Sequence, residues 1–129
     1  MNETPASLGY RMPAEWEPHS GTWLTWPHNL KTWPDQDMQQ VETEFLSIVQ
    51  SLAKDEPVHI LVNDEEMEGS VASTLNDNNV EMKNIFLHDI PTNDSWIRDY
   101  GPNFIVQSDG IVATNDWDFD SWGRKYKWE

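Results

Sequence analysis

Apolar residues recur along this chain in two periods. In Gly21-Thr22-Trp23-Leu24-Thr25-Trp26 they alternate with polar ones, the pattern of a half-buried strand, and Pro27 ends it. From Asp35 to Lys54 the spacing becomes three and four. Met38, Val41, Phe45, Ile48, Val49 and Leu52 would share one face of a helix. Asp35 and Asp37 suit its positive end, Lys54 suits its negative end, and Pro57 follows as a stop. Val58-His59-Ile60-Leu61-Val62 is a near-continuous apolar run, as in strands buried on both faces of a parallel sheet, so His59 reads as a satisfied core histidine. Asn63 and Asp64 can cap a second helix from about Glu65 to Leu75, with Met67, Val71 and Leu75 inward. Asn76-Asp77-Asn78-Asn79 would end it, because asparagine tolerates left-handed backbone.

A third strand is expected across Val80 to Leu87. A hairpin should then form from Phe104-Ile105-Val106 and Ile111-Val112-Ala113 around Asp109-Gly110. Residues 1–21 read as loop, broken by Pro5, Pro13, Pro18 and Gly21. The order strand, helix, strand, helix, strand, loop, hairpin describes an α/β chain with mixed sheet character and no internal domain boundary.

Between the third strand and the hairpin lies Thr92-Asn93-Asp94-Ser95-Trp96-Ile97-Arg98-Asp99-Tyr100-Gly101-Pro102. Loops at strand ends, held by a rigid sheet, are where ligand-binding groups collect. A flat organic cation could be gripped by Asp99 or Asp94 and covered by the indole of Trp96. The plainer reading is a solvated turn, in which Asp94 and Arg98 pair and Trp96 anchors the core. Residue types alone leave both open.

Composition narrows the partners. A formal charge of −15 over 129 residues argues against nucleic acid and anionic membranes and favours a cationic small molecule, a basic protein or plain solubility. There is no cysteine, so neither a disulfide framework nor a cysteine metal site can form. No signal peptide or membrane-spanning run is visible, and a cytoplasmic location is expected. Eight tryptophans are more than one small core can hide, so some are expected to line a pocket or to be covered by more protein. His28 has no clustered ligands at metal spacing and reads as a surface or capping histidine.

Three segments carry a resemblance. Met12-Pro13-Ala14-Glu15-Trp16-Glu17-Pro18-His19 with Thr22-Trp23-Leu24-Thr25-Trp26-Pro27 looks like the opening of agmatine deiminases and bacterial-type peptidylarginine deiminases. Asn93 to Pro102 resembles their signature loop, and Trp117-Asp118-Phe119-Asp120-Ser121-Trp122-Gly123-Arg124-Lys125-Tyr126 resembles the aromatic segment after it. The resemblance implies an α/β propeller of five pseudo-symmetric ββαβ units, of which residues 1–129 would be the N-terminal portion of a single deiminase domain. It implies that Asp99 binds the substrate guanidinium and that Trp96 walls the pocket. Asp94 lies in the same motif, and both Asp94 and Arg98 would first hold the loop.

The family reaction explains that choice of groups. A guanidinium is planar and charged at any physiological pH, and resonance makes its carbon a poor electrophile. Paired carboxylates fix its plane for attack by a cysteine thiolate, while a histidine handles protons; no metal or organic cofactor is required. His88 is followed by Asp89 and Ile90, which departs from the family's His-x-Asp spacing, so the histidine role is not assigned to it. Without cysteine the 129 residues are expected to be inactive alone, the chain being expected to continue past Glu129. Agmatine is the expected substrate, with N-carbamoylputrescine and ammonia as products. Peptidylarginine or arginine deimination is the alternative within the class, and a non-catalytic module for a cationic ligand is the alternative outside it. A homo-oligomer is left open.

Overall fold

Three apolar runs pair side by side in the computed structural model, which describes residues 3–125. Strand β1 (Thr22–Thr25), β2 (Val58–Val62) and β3 (Ile85–Asp89) form a parallel sheet in the order β1-β2-β3. Leu24 lies opposite Ile60, and Ile60 opposite Leu87. Helix α1 (Met38–Leu52) connects β1 to β2, and α2 (Glu65–Asp77) connects β2 to β3. Consecutive crossovers of one hand between neighbouring parallel strands place both helices on one face of the sheet. That face holds the core: Val58, Ile60 and Val62 of β2 meet Leu46, Val49 and Ala53 from α1 and its end, Val71 and Leu75 of α2, and Trp26.

The helix boundaries follow local hydrogen bonding. Asp37 has extended backbone, and its carboxylate accepts from the Gln39 N–H at 3.0 Å. It is therefore the N-cap, and α1 starts at Met38 rather than Asp35. Asp64 caps α2 in the same way, accepting from the Met67 N–H at 2.8 Å. At the far end Asn79 is left-handed (φ 57°), and the Val80 N–H donates to the Leu75 carbonyl at 3.0 Å. Val80 is thus spent on closing α2, and a 3-10 turn at Met82–Asn84 follows. For that reason β3 begins at Ile85 and not at Val80.

The α1 periodicity was right about the helix and only partly right about its inner face. Val41, Leu46 and Val49 are buried, whereas Ile48 is exposed. Gly21 sits where β1 begins beside the turn before β2. A Cβ there would meet the Pro57 carbonyl oxygen at 2.8 Å, and that oxygen already accepts from the Thr22 N–H.

The opposite face of the sheet carries rings. Trp23 stacks on His59 at 4.5 Å and on His88 at 4.9 Å, and His59 stacks on Phe86 at 5.0 Å. His59 is half-buried in this stack, not enclosed in the core as its apolar neighbours suggest. Burial, with the charge of His88 second, holds its pKa below the usual histidine value.

The chain divides into two compact units, one continuous from His19 to Ile97 and one built from the segments up to Pro18 and from Arg98 onward. A boundary therefore exists where the sequence shows none. The sheet and both long helices belong to the first unit. In the second, β4 (Asn103–Val106) pairs antiparallel with β5 (Val112–Asn115) as a separate sheet, so the mixed character resolves into two sheets. Gly110 takes the left-handed position of the turn (φ 88°), as the Asp109-Gly110 signal implies. Arg11 joins the hairpin edge through two backbone bonds with Val106, at 2.9 and 2.8 Å. The Arg11 guanidinium then grips Glu17 with two bonds, at 2.8 and 2.7 Å, and together with the Ala14 N–H lowers the Glu17 pKa to about 2. Of the aromatic tail, Trp117 donates to Asn103 Oδ1 at 2.6 Å and Phe119 packs edge-on against Tyr100 and Trp122. Tyr126 and Trp128 lie outside the described residues.

Two outcomes follow from this packing. Gly21→Ala should cost about 1–3 kcal/mol, because the added methyl forces the β1 and β2 entries apart; an unchanged urea midpoint would remove the close approach as a constraint. The His59 shift gives a pH effect with a definite sign. As pH falls through about 6.5 the unfolded chain takes up a proton that the folded chain resists, so stability is full above that value and declines below it. His59→Phe should flatten that decline in thermal melts recorded between about pH 7.5 and 5.

Candidate functional site

The turns that follow the three parallel strands carry the polar groups of the continuous unit. After β1, His28 lies with Nδ1 3.0 Å from the Trp26 carbonyl and Nε2 3.0 Å from the Thr92 carbonyl. Asn29 Nδ2 donates to the Asn93 carbonyl at 2.7 Å. After β2, Asn63 Oδ1 accepts from the Thr92 N–H at 2.8 Å and from its hydroxyl at 3.3 Å. The segment after β3 is thus tied by side chains from both other turns. A connecting loop held this way keeps one shape despite its polar sequence, because its backbone groups have fixed side-chain partners.

The tied segment presents Asp94, Ser95 and Trp96. Asp94 is half-buried, and its Oδ1 accepts from the Ser95 N–H at 2.7 Å. The Trp96 indole keeps 41% of its surface exposed and lies against Trp33, with ring centroids 5.3 Å apart and planes at 33°. Among the described residues, Trp33 Nε1 and Ser95 Oγ are buried without a hydrogen-bond partner. Trp33 also borders an open cleft of about 480 Å³ with Asp35, Glu44 and Phe45 in its lining.

The short helix α3 (Ile97–Tyr100) follows, and with Arg98 the chain enters the second unit. Asp99 is exposed there. Arg98 forms an ion pair with Glu15 at 2.5 Å, so its partner is an acid of the opening segment rather than the expected Asp94. Asp94 and Trp96 therefore stand together on the loop tied by His28, Asn29 and Asn63, and Asp99 stands in α3. An exposed indole face suits a flat cation.

Sequence reasoning missed His28, Asn29, Asn63 and Trp33 as members of this site. His28 was read as a surface or capping residue; its contact with Thr92 spans 64 positions, and no local pattern reports it. Among the described residues no group of three or more histidine, cysteine or carboxylate side chains gathers as a metal site, and no helix is long and apolar enough to cross a membrane.

Comparison with known proteins supplies the family. Residues 11–129 match the family model of the Porphyromonas-type peptidyl-arginine deiminases. The agmatine deiminase of Ectopseudomonas mendocina is 36% identical over 123 residues, which is 95% of this chain and 32% of that protein. The X-ray structure of a protein provisionally described as an agmatine deiminase superposes with a TM-score of 0.77 at 31% identity, over 95% of this chain and 33% of that one. A substrate-bound agmatine deiminase of C. jejuni shares the fold with a TM-score of 0.74 at 21% identity, over 93% of this chain and 33% of that one. The chain thus spans about a third of the length of the relatives it matches. With almost all of its residues matched in sequence and in fold, the chain belongs to the Porphyromonas-type peptidyl-arginine deiminase family.

Proposed function

We propose that these 129 residues form part of a deiminase that hydrolyses the guanidinium of agmatine to N-carbamoylputrescine and ammonia. The observation that carries the reading is the 36% identity to an agmatine deiminase across nearly the whole chain. The tied loop with its exposed Trp96 supports it. On this reading the α/β fold is one portion of a five-fold propeller, and residues 1–129 belong to a single deiminase domain. A reducing, cytoplasmic setting suits a chain without cysteine.

The roles follow from the substrate. Asp99 offers a carboxylate to the guanidinium N–H groups, and two parallel bonds would fix the plane of the ion. Trp96 forms a wall against that plane, where the ring face attracts the delocalised charge. Asp94 adds negative field and holds the turn through the Ser95 N–H. His28, Asn29 and Asn63 act at one remove, by keeping the loop in place. The nucleophile is a cysteine in the family reaction, and this sequence has none, so the 129 residues bind without turning over. Deimination of peptidylarginine is the second reading, favoured by the family match itself.

A chimera tests the activity. The matching third of the Ectopseudomonas mendocina enzyme is replaced by this chain, and ammonia release from agmatine is followed. Turnover is expected for the chimera and not for the 129 residues alone; a folded chimera that acts on peptidylarginine but not on agmatine would favour the second reading. In the active chimera, Asp99→Asn should lower kcat/KM by about 2–5 kcal/mol in transition-state terms, roughly 30- to 4,000-fold. A loss below threefold would remove Asp99 from the site. His28→Phe in the 129-residue chain should speed amide exchange at Asn93 to Trp96, because each lost bond is worth about 1 kcal/mol, while β2 amides stay protected. Equal exchange in both proteins would mean that His28 does not hold the loop.

A further inference from the structure

The partners of His28 fix the charge of its ring. Nδ1 lies 3.0 Å from the Trp26 carbonyl oxygen, and Nε2 lies 3.0 Å from the Thr92 carbonyl oxygen. A carbonyl oxygen only accepts, so each ring nitrogen must carry a proton to form its bond. Neutral imidazole has one N–H. Either neutral tautomer would set a ring lone pair against a carbonyl oxygen in a half-buried place. Imidazolium supplies both donors, and a bond from an ionised donor is roughly twice as strong as a neutral one. The two acceptors belong to different parts of the unit. Trp26 is buried at the end of β1, with its N–H bonded to the Leu61 carbonyl at 3.0 Å and its indole to Glu42 at 3.2 Å. Thr92 opens the loop that bears Asp94 and Trp96.

We propose that His28 is a protonated clamp: its imidazolium bridges the rigid sheet edge to that loop, and loss of the proton loosens the loop. The deiminase reading enters only through what the loop binds; the clamp follows from the chain's own contacts. Thr92 is held at both ends, its N–H by Asn63 and its carbonyl by His28. Asn29 and Asn63 tie the loop through amides, which do not titrate, so His28 is the tie that responds to pH. The charged groups on the elements around it are Lys31 on its own turn, Glu42 on α1, Asp64 after β2, Asp89 in β3 and Asp94 on the loop. Among the described residues none of these acids forms an ion pair with His28, so the two carbonyl dipoles stabilise its charge. The sign is opposite to that of His59. The loop is ordered while the imidazolium persists, and its order falls as rising pH removes the proton. His28 is thus a positioning residue for Trp96 and Asp94, with a charge state that sets how firmly they are placed.

Nuclear magnetic resonance of the nitrogen-15-labelled 129-residue chain tests the clamp. Long-range proton–nitrogen spectra near neutral pH should show both His28 ring nitrogens as N–H nitrogens, assigned by their loss in His28→Gln. One N–H nitrogen and one lone-pair nitrogen, with the Asn93 to Trp96 amides still protected, would overturn the proposal. Amide exchange is then followed as pH is raised and corrected for base catalysis. Protection at Asn93 to Trp96 should fall roughly tenfold over the interval in which the His28 nitrogens titrate, while β2 amides keep theirs. His28→Gln has an amide in place of the ring and should show low protection with no such step. A step of equal size in His28→Gln would overturn the clamp. So would unchanged loop protection in the native chain across the His28 titration, a result that needs no variant to fold.

Discussion

The burial of β2 is the constraint on which the continuous unit depends. Val58, Ile60 and Val62 are fully buried, and β2 is hydrogen-bonded to a neighbour on each side. Each such side chain contributes about 1.5–3 kcal/mol by leaving water, a large share of what a small domain has in total. The same strand sets the register of β1 and β3, and through them the places where the three chains leave the sheet. Parallel strands end on the same side. That is why the turns carrying His28, Asn63 and Thr92 meet, although they are far apart in the sequence. Ligands of parallel α/β sheets gather at this carboxyl edge, and the tied loop with Trp96 stands there.

Cap chemistry and core chemistry are separable in this fold. Asp37 and Asp64 start the two helices, while Asn79 ends the second, each through its own short-range bond or backbone angle. The core then selects which helix residues turn inward. Ile48 is on the periodic stripe and still faces outward, because the stripe drifts across a helix that touches the sheet over a limited width. Leu46 falls between the marked positions and is buried. Hydrophobic spacing finds the helix reliably, but the geometry of the partner surface decides the edges of its buried face.

Much of the fold was legible for these local reasons: the order of elements, both long helices, β2 and the turn at Asp109-Gly110. The division into two units was not, because it arises from pairing between distant segments, such as Arg11 with Val106. The late start of β3 was hidden for another reason, since Val80 is apolar in either role. In the candidate site, Asp94, Trp96 and Asp99 were visible as a motif. The side chains that hold the motif were not. His28 and Asn29 act on backbone atoms 64 positions away, and Trp33 acts by its ring, so none of them carries a spacing signal. Arg98 shows the same limit: an acid four residues off looked like its partner, and the structure pairs it with Glu15.

The path of the chain through the two units also bears on how the protein is made. The unit from His19 to Ile97 is a continuous segment whose strands are joined by local crossovers, so it can assemble as soon as that segment has left the ribosome. The other unit waits. Its hairpin edge is completed by Arg11, which is synthesised before the whole of the continuous unit, and until β4 arrives Arg11 has no strand to pair with. During synthesis Arg11 is therefore made long before the strand it pairs with, and throughout that interval its backbone edge stays open to whatever chaperone or neighbouring chain reaches it first.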